Sequence, residues 1–316
     1  MAKLVEKITL GVDVAKDQLV VYNSQTEETT NLPNQPAAIK AFLNKLHGPL
    51  RIAIEPTSHY HMDFVEAALA RGTEVYLINP RQLAHYRQAV NVRIKTDLVD
   101  ARLLARYLEH EGALLRPFQP QDRRAQRLWA LLKRRATAVQ SRQQLQQSFS
   151  QVRFSIQALL TQFQQLLLRL DQQIQHLIRE LGWWPDYQRC LTIPGIGPAN
   201  AAALVAAYHR GAFAGSDAFV AYLGLDIRLR ESGKYKGKSK LTKQGEPELR
   251  RLLYCGAKPA TTHQRFADYR QRLLAKGLSK IAARVALARK LARIAFTLMS
   301  RQQSFNKQEI TYCTAP

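Results

Sequence analysis

Hydrophobic residues follow two different periods along the chain, and the changes between them divide the sequence into three regions. Up to about residue 118, short apolar runs alternate with amphipathic segments, a pattern typical of an α/β domain. From about 119 to 185 apolar residues recur every three or four positions, and from 186 to 316 shorter helical segments enclose a lysine-rich stretch. We therefore predict three domains, residues 1–118, 119–185 and 186–316.

The first region predicts the element order β-β-(β)-α-β-α-β-α. Strands are expected within KITLGVDV, QLVVYN, the weaker ETTNL, RIAIEP and EVYLIN, and helices within PAAIKAFLNKL, HMDFVEAALARG and TDLVDARLLARYLEHEG. Asn79-Pro80 is interpreted as the end of the last strand, and Thr96 as the N-cap of the last helix. This order is typical of a mixed, RNase H-like sheet, with a small flavodoxin-like sheet as the alternative.

The middle region predicts one or two long helices. Glycine is absent until Gly182, and proline is absent between Pro120 and Pro185. The apolar positions nearly follow a heptad: Phe149, Val152, Ile156, Leu159, Phe163, Leu166, Leu170, Ile174, Leu177 and Leu181. We interpret this pattern as a coiled coil or helical hairpin that mediates dimerisation, and an amphipathic helix packed on its own domain is the alternative.

Positive charge is concentrated in the second and third regions. The chain has 316 residues and a formal net charge of +23, but residues 1–100 contain 11 lysines and arginines against 11 acids. All of the excess therefore lies after residue 100, which indicates a polyanionic partner, most simply nucleic acid. Apolar residues make up 46 % of the chain, enough for folded cores.

Neither the cysteines nor the terminal sequence indicate secretion. Cys190, Cys255 and Cys313 form no CxxC pair, which argues against a disulfide framework and against a zinc site. The N-terminal sequence lacks the apolar core of a signal peptide, and no apolar run is long enough to span a membrane. We expect a reducing cytoplasm.

Four acids of the first region form a candidate metal site. Asp13 lies in an apolar strand, Glu55 ends another, and Asp97 and Asp100 stand three apart on one face at the start of a helix. Carboxylates near apolar cores need a cationic partner, and hard oxygen ligands from several elements suit one or two Mg²⁺ ions. An acid on each of two strands and a pair on a closing helix is also the arrangement of RNase H-like nucleases, whose ions act on a phosphodiester.

Each acid also has an ordinary structural explanation. The helix dipole favours Asp97 and Asp100 in a first turn, Asp13 could mark a turn, and Glu55 could pair with an arginine. His59 and His61 follow Glu55 closely, but we assign them to a loop and a helix start rather than to a metal.

The third region contains two candidate nucleic-acid contacts. IPGIG resembles the turn of helix-hairpin-helix modules, in which the backbone at Gly195 and Gly197 would grip a phosphate; a tight turn without a ligand is the alternative. In one stretch, lysines recur at every second residue. Such a row of lysines can follow a phosphate backbone, or the stretch can be a solvated loop. These lysines are Lys234, Lys236, Lys238 and Lys240, with Lys243 nearby. The cationic helix within 280–299 suits core packing with phosphate contact, or else a membrane surface.

Together these segments resemble a family of transposases. GVDVAKD, IEPTSHY, INP, KTDLVDARLLA, IPGIG, FVAYLGL and ESGKYKGKSKLTKQGEPELRRLLY occur in family order from about residue 8 to 295. On these motifs the chain is similar to the insertion-sequence one-ten family, the DEDD transposases described as bridge-RNA-guided recombinases. One departure is that this chain has Glu-Pro-Thr-Ser at residues 55–58, where family members tend to have Glu-Ala-Thr-Gly.

The resemblance implies the fold, the chemistry and the partners. It implies a RuvC-like domain whose Asp13, Glu55, Asp97 and Asp100 bind Mg²⁺, a coiled-coil insertion for dimer or tetramer assembly, and a mainly helical transposase domain. It also implies that Ser232 of the ESG motif attacks DNA and forms a covalent link, with acids and serine contributed by different subunits. A bridge RNA would pair with donor and target duplex DNA. The resemblance also implies a prokaryotic protein associated with the nucleoid.

From the residues alone, Ser232 is an ordinary turn residue, and Ser239 and Thr242 are alternative hydroxyls in the same stretch. Three functions are therefore compared. The first is an RNA-guided recombinase that uses a serine. The second is a RuvC-like, metal-dependent endonuclease that uses water, and the third is a non-catalytic nucleic-acid-binding protein.

Overall fold

The computed structural model describes residues 7–120, 122–228, 231–232, 235–236 and 240–306, with only the backbone at 231–232 and 235–236. The chain forms two compact units, Met1–Pro120 and Gln121–Pro316, called here the N-terminal and C-terminal units. The N-terminal unit contains β1 (Ile8–Val14), β2 (Gln18–Asn23), β3 (Thr29–Pro33), α1 (Pro36–Lys45), β4 (Leu50–Ile54), α2 (Met62–Ala70), β5 (Glu74–Leu77), α3 (Pro80–Ala89) and α4 (Asp97–Glu111).

The N-terminal unit is built on one mixed sheet. Its five strands have the order β3-β2-β1-β4-β5. The first three pair antiparallel, whereas β1, β4 and β5 run parallel to one another. The antiparallel β2 and β3 distinguish this sheet from a flavodoxin-like one, which is parallel, so the prediction of a mixed α/β sheet is confirmed. Apolar side chains of β1 and β4, among them Leu10 and Ile52, are fully buried.

One helix of this unit is absent from the predicted order. Helix α3 begins directly after Asn79, whose side chain accepts a hydrogen bond from the backbone N–H of Arg81 at 2.9 Å, and Pro80 occupies the first helical position. Asparagine as N-cap followed by proline is a helix-start signal. The prediction that the last strand ends by Asn79-Pro80 is confirmed, since β5 ends at Leu77, but the helix that begins at Pro80 was not predicted.

The C-terminal unit is mainly helical. It contains α5 (Arg123–Ser148), α6 (Gln157–Glu180), α7 (Trp184–Leu191), α8 (Pro198–Tyr208), α9 (Ser216–Tyr222), α10 (Pro247–Ala260), α11 (Gln264–Ala275) and α12 (Lys280–Ser300). The described residues between α9 and α10 form four short strands, β6 (Ile227–Arg228), β7 (Glu231–Ser232), β8 (Tyr235–Lys236) and β9 (Lys240–Leu241). Within the part of the chain that the structure describes, none of the helices has the length and apolar character to cross a bilayer.

Helices α5 and α6 form an antiparallel hairpin. Near the start of α5, Arg124 donates to the carbonyl of Glu180 at the end of α6 at 3.1 Å, and Arg135 forms an ion pair with Asp171. The predicted heptad is partly wrong. Its first three positions, Phe149, Val152 and Ile156, lie in the connection between α5 and α6 and not in either helix.

The rest of the heptad lies on α6, with Leu181 as its C-cap. Ile174 and Leu177 are buried, whereas Leu159 and Leu166 are 40 % and 46 % exposed. The heptad positions near the end of α6 are therefore buried within the C-terminal unit. Association of those near its start with a second copy remains a prediction.

Candidate active site

Asp13 and Glu55 lie at the same edge of the sheet. β1 and β4 are parallel, and their last paired residues are Val12 and Ile54. Asp13 and Glu55 are the next residue of each strand path, so both carboxylates emerge where two adjacent parallel strands end. Both residues are partly buried.

The other two acids come to this edge on the first turn of α4. Thr96 caps the helix by accepting a hydrogen bond from the N–H of Val99 at 3.3 Å, as the sequence predicts. Asp97 is exposed and Asp100 is buried. The three-residue spacing places both acids on one side of the helix.

Gly11 determines how closely α4 approaches the sheet. A Cβ atom at Gly11 would lie 1.9 Å from the carbonyl oxygen of Ala101 and 2.6 Å from the backbone nitrogen of Ala105. The helix backbone therefore contacts the strand directly, which only glycine permits. Gly11 and Asp13 point to the same face of β1 because side chains alternate along a strand. The contact thus brings Asp100, the neighbour of Ala101, towards Asp13.

The four acids affect one another electrostatically. Burial raises the pKa of Asp13 to about 6, and the negative charges of Asp97, Asp100 and Glu55 contribute to this, opposed by a hydrogen bond from the N–H of Val14. Burial also raises the pKa of Glu55, with Asp100 adding to the effect. Such mutual repulsion is the mark of a site that a cation would stabilise.

Two basic side chains also belong to the site. Lys95 and Arg87 both act to lower the pKa of Glu55. Arg87 forms an ion pair with Asp100 in which the side chains are only 16 % and 12 % exposed, and it donates to the carbonyl of Ile94 at 3.0 Å. Sequence reasoning missed Arg87 because it missed α3, although the helix-start signal at Asn79-Pro80 was available.

The chemistry of the four carboxylates fits a magnesium site, since Mg²⁺ prefers carboxylate oxygens and their charges repel one another here. Their arrangement is not a closed ligand cage. Among the described residues, which include all four acids, no three Asp, Glu, His or Cys side chains stand close enough together to hold a metal ion. The same finding covers His59, whose Nδ1 lies 3.3 Å from the Ser58 hydroxyl, and His61, which is buried at the start of α2.

Ser58 occupies a backbone conformation that favours glycine. Its φ is +49°, at the position where the similar transposase family tends to have glycine. We expect Ser58→Gly to raise the free energy of unfolding by about 0.5–1 kcal/mol, because strain is relieved while the lost contact with His59 is exposed. Urea denaturation checks this. As the control, Ser141→Gly within α5 should lower the free energy of unfolding. An equal decrease in both variants would contradict backbone strain at Ser58.

Ser232 lies at the end of a short antiparallel ladder. β7 pairs with β8, and Ser232 faces Tyr235 so that two residues, Gly233 and Lys234, separate the partners. The side chain of Ser232 lies outside the described residues. Of the alternative hydroxyls, Ser239 also lies outside them, whereas Thr242 is hydrogen-bonded to the carboxylate of Asp226.

The described parts of the lysine-rich stretch lie in two short antiparallel ladders. β6 pairs with β9 through Arg228 and Lys240, and β7 pairs with β8 through Glu231 and Lys236. The residues that join these strands lie outside the described part of the chain, so a single-sided row of lysines stays a prediction.

Individual lysines of the row differ in what can be described. Lys240 and Lys243 are exposed. Lys234, Lys238 and the side chain of Lys236 lie outside the described residues. Phosphate binding by these five lysines therefore stays a prediction.

The IPGIG turn joins α7 to α8 and packs on α10. Gly195 has a φ of +85°, and a Cβ there would lie 2.3 Å from the carbonyl oxygen of Gly256. Close packing therefore accounts for glycine at 195 without a ligand. Gly197, the N-cap of α8, is exposed, and a Cβ there would meet nothing within 4 Å. Phosphate binding at Gly195 and Gly197 stays a prediction.

Comparisons with known proteins give the chain two family matches. Residues 10–153 match a model described as "Transposase", of the DEDD type of IS110 elements, and residues 187–271 match "Transposase IS116/IS110/IS902 family". The "Pilin gene-inverting protein" of Moraxella lacunata and that of Moraxella bovis are each 28 % identical over 325 residues, which are 96 % of this chain and 98 % of the relative.

Two further similarities are partial. The "Probable family 20 transposase" of Pseudomonas aeruginosa is 34 % identical over 145 residues, covering 44 % of this chain and 42 % of the relative. Among solved structures, T. thermophilus RuvC in complex with a Holliday junction substrate covers 36 % of this chain and 100 % of its own, with 12 % identity and a TM-score of 0.27.

Proposed function

The chain belongs to the IS116/IS110/IS902 family of transposases, and from this we propose that it is a site-specific DNA recombinase that joins a metal-binding acidic site to a serine nucleophile. The observation that carries the proposal is the convergence of Asp13, Glu55, Asp97 and Asp100 on one edge of the sheet, where burial and then the charges of the other three acids raise the pKa of Asp13. Family membership independently makes the chain a transposase.

The acidic site would hold the metal. Asp13, Glu55, Asp97 and Asp100 would supply the carboxylate ligands for one or two Mg²⁺ ions. When bound, the metal would neutralise developing negative charge on a phosphodiester and help to activate the attacking oxygen. The protein's own contribution would be to hold Asp13 on β1, Glu55 directly after β4, and Asp97 and Asp100 on the first turn of α4.

Ser232 would be the attacking group. Its hydroxyl would lose a proton as Oγ bonds to the scissile phosphorus, and one bridging P–O bond would break to release a strand end as a hydroxyl. Attack on the phosphoserine link by the hydroxyl of another strand end would then rejoin DNA and restore the serine. One phosphoester bond is exchanged for another in each step, so no external energy source is needed.

RNA guidance, oligomeric assembly and a site shared between subunits are also part of the proposal. Guidance by a bridge RNA that pairs with donor and target DNA follows from the family resemblance. Assembly into a dimer or tetramer, with the acids and Ser232 from different subunits, follows from the same resemblance. The exposed Leu159 and Leu166 of α6 additionally suit contact between copies.

Strand rejoining is favoured over simple hydrolysis by the relatives. Two proteins that are similar over 96 % of this chain are named for inverting a gene. Inversion requires that cut strands be rejoined, which a hydrolytic endonuclease does not do. The alternative nevertheless remains chemically distinct, because water rather than Ser232 would attack at the same acidic site.

The experiment separates the three functions by variant. Purified protein, its element-derived RNA and labelled donor and target DNA are incubated with Mg²⁺. We expect Ser232→Ala to lose strand exchange and any covalent protein–DNA species, because the hydroxyl that would form the link is removed. Ser239→Ala and Thr242→Ala are the matched hydroxyl controls and should keep exchange.

Retained cutting by Ser232→Ala would instead support the water-dependent endonuclease. Nucleic-acid binding that is unchanged in Ser232→Ala and Asp100→Asn, with no cutting or exchange by the native protein, would support a protein that only binds nucleic acid. RNA guidance is tested separately by sequencing the RNA that copurifies from the native host. An element-derived RNA with defined ends supports guidance, and random cellular RNA contradicts it.

A further inference from the structure

The acidic site contains a positively charged side chain that is already paired with one of the four carboxylates. Arg87, near the end of α3, pairs with the carboxylate of Asp100, and both side chains are largely buried. A buried guanidinium–carboxylate pair is strongly held because removal of either partner leaves an uncompensated charge. Asp100 is therefore not a free ligand in the structure, and any divalent ion there must compete with Arg87.

A metal ion and Arg87 cannot both remain close to Asp100 at no cost. The ion carries two positive charges, and like charges a few ångströms apart in a partly buried site repel strongly. Lys95, which also influences Glu55, adds to the positive potential. Entry of the metal therefore favours release of Arg87, which then needs a new anionic partner.

The substrate supplies such a partner. A phosphodiester has two nonbridging oxygens, and arginine binds phosphate through paired N–H groups. Under the proposed function, the scissile phosphate must approach the same carboxylates that hold the metal. A guanidinium displaced from Asp100 would therefore lie beside an anion of the chemistry that it recognises best.

We propose that Arg87 is an exchangeable cation of the acidic site, which neutralises Asp100 in the metal-free protein and transfers to a phosphate oxygen of the DNA when a divalent ion takes Asp100. The proposal rests on the proposed function of the acids. Its consequence is that DNA and metal each bind more tightly when the other is present, because each takes over one half of the Arg87–Asp100 pair.

Calorimetric titration with Mg²⁺ tests the proposal without any measurement of catalysis. We compare the full-length protein, Arg87→Ala and Arg87→Gln, each with and without a DNA duplex. Without DNA, both variants should bind Mg²⁺ about 10-fold more tightly than the native protein, because no guanidinium competes. With DNA, native affinity should rise about 10-fold, and that gain should largely vanish in the variants.

Arg81→Ala is the matched control, because Arg81 is an exposed arginine at the other end of α3. It should behave like the native protein. Arg87→Gln keeps a hydrogen-bond donor for Asp100 and guards against failure of Arg87→Ala to fold. Thermal unfolding should show both Arg87 variants less stable than native protein in EDTA and more strongly stabilised by Mg²⁺.

Unchanged or weaker Mg²⁺ binding in both Arg87 variants would overturn the exchange, as would a DNA effect of equal size in all proteins. Failure of the proposed function has a different signature. In that case Asp13→Asn would leave the Mg²⁺ affinity of the native protein unaltered, since the acids would not be the ligands. Loss of binding in Asp13→Asn without a gain in the Arg87 variants would sink only the role of Arg87.

Discussion

Asp13→Asn is expected to reduce DNA strand cleavage by about 10³-fold or more while leaving DNA binding in place. Asparagine has nearly the same shape but no charge, so the substitution removes one anionic ligand from the centre of the acidic site, and lost electrostatic stabilisation of a transition state has effects of this size. Single-turnover cleavage with Mg²⁺ measures the loss. Asp63→Asn, at an exposed acid in the first turn of α2, should cleave at the native rate.

The same variant should show the opposite effect on stability in metal-free buffer. The pKa of Asp13 is raised to about 6, so the folded protein holds this proton more tightly than the unfolded chain does. Native stability should therefore fall as the pH rises from about 4 to about 6 and stay lower above that. Asparagine cannot ionise, so at pH 8 in EDTA the variant should be more stable by about 1–2 kcal/mol, since partial exposure screens the charges.

Urea denaturation in EDTA at pH 4, 6 and 8 gives this comparison. A variant that cleaves DNA normally, or that is less stable than native protein at pH 8, would contradict the crowding of carboxylates at this site. Loss of activity together with gain of stability would show that the acids are placed for function at the expense of folding, as is common for active sites.

Gly11→Ala is expected to lower the free energy of unfolding by about 3 kcal/mol and to disorganise the acidic site. The new Cβ would lie 1.9 Å from the carbonyl oxygen of Ala101. That oxygen belongs to the backbone of α4, so no side-chain rotation relieves the clash and the helix must move from the sheet. Because Asp97 and Asp100 are carried by the same helix, Mg²⁺ affinity should fall with stability.

Gly112→Ala is the matched control for this prediction. Gly112 has an ordinary helical φ of −56°, and a Cβ there would meet only side-chain atoms at 3.4 Å or beyond. Its stability and metal binding should stay close to native. Urea denaturation and Mg²⁺ titration measure both variants. A Gly11→Ala protein with native stability and metal affinity would show that α4 is not positioned by this contact.

Local sequence signals were sufficient for most of the N-terminal unit. Alternating apolar residues located all five strands, and Thr96 located the start of α4, because strand pattern and helix capping are decided within a few residues. α3 was missed although its signal is also local. Its polar composition left little periodic apolar pattern, so Asn79-Pro80 was interpreted as a strand end alone.

Tertiary contacts explain the other differences. The heptad pattern includes Phe149 and Val152 although neither lies in a helix, because the spacing of apolar residues does not show where a hairpin turns. Phosphate binding at Gly195 stays a prediction, but the close approach of Gly195 to Gly256 is a further reason for glycine that the sequence does not reveal.

The candidate site also contains features that local sequence predicts and features that only the tertiary structure shows. The four acids were predicted as a set from their residue types and elements. The Arg87–Asp100 pair and the Gly11–Ala101 contact join residues from different elements, so neither could be deduced from local pattern. Both determine how available the acids are.

The central claim is that the acidic site and Ser232 act on one phosphodiester, and peptide mapping of a trapped protein–DNA adduct tests it most directly. A nicked DNA substrate that cannot be rejoined is incubated with the protein, its RNA and Mg²⁺, and the DNA-linked peptide is identified by mass spectrometry. We predict a phosphoserine link at Ser232 that is absent in Asp13→Asn and absent without Mg²⁺. A link at a different residue, or a Ser232 link that forms equally well in Asp13→Asn, would contradict the claim.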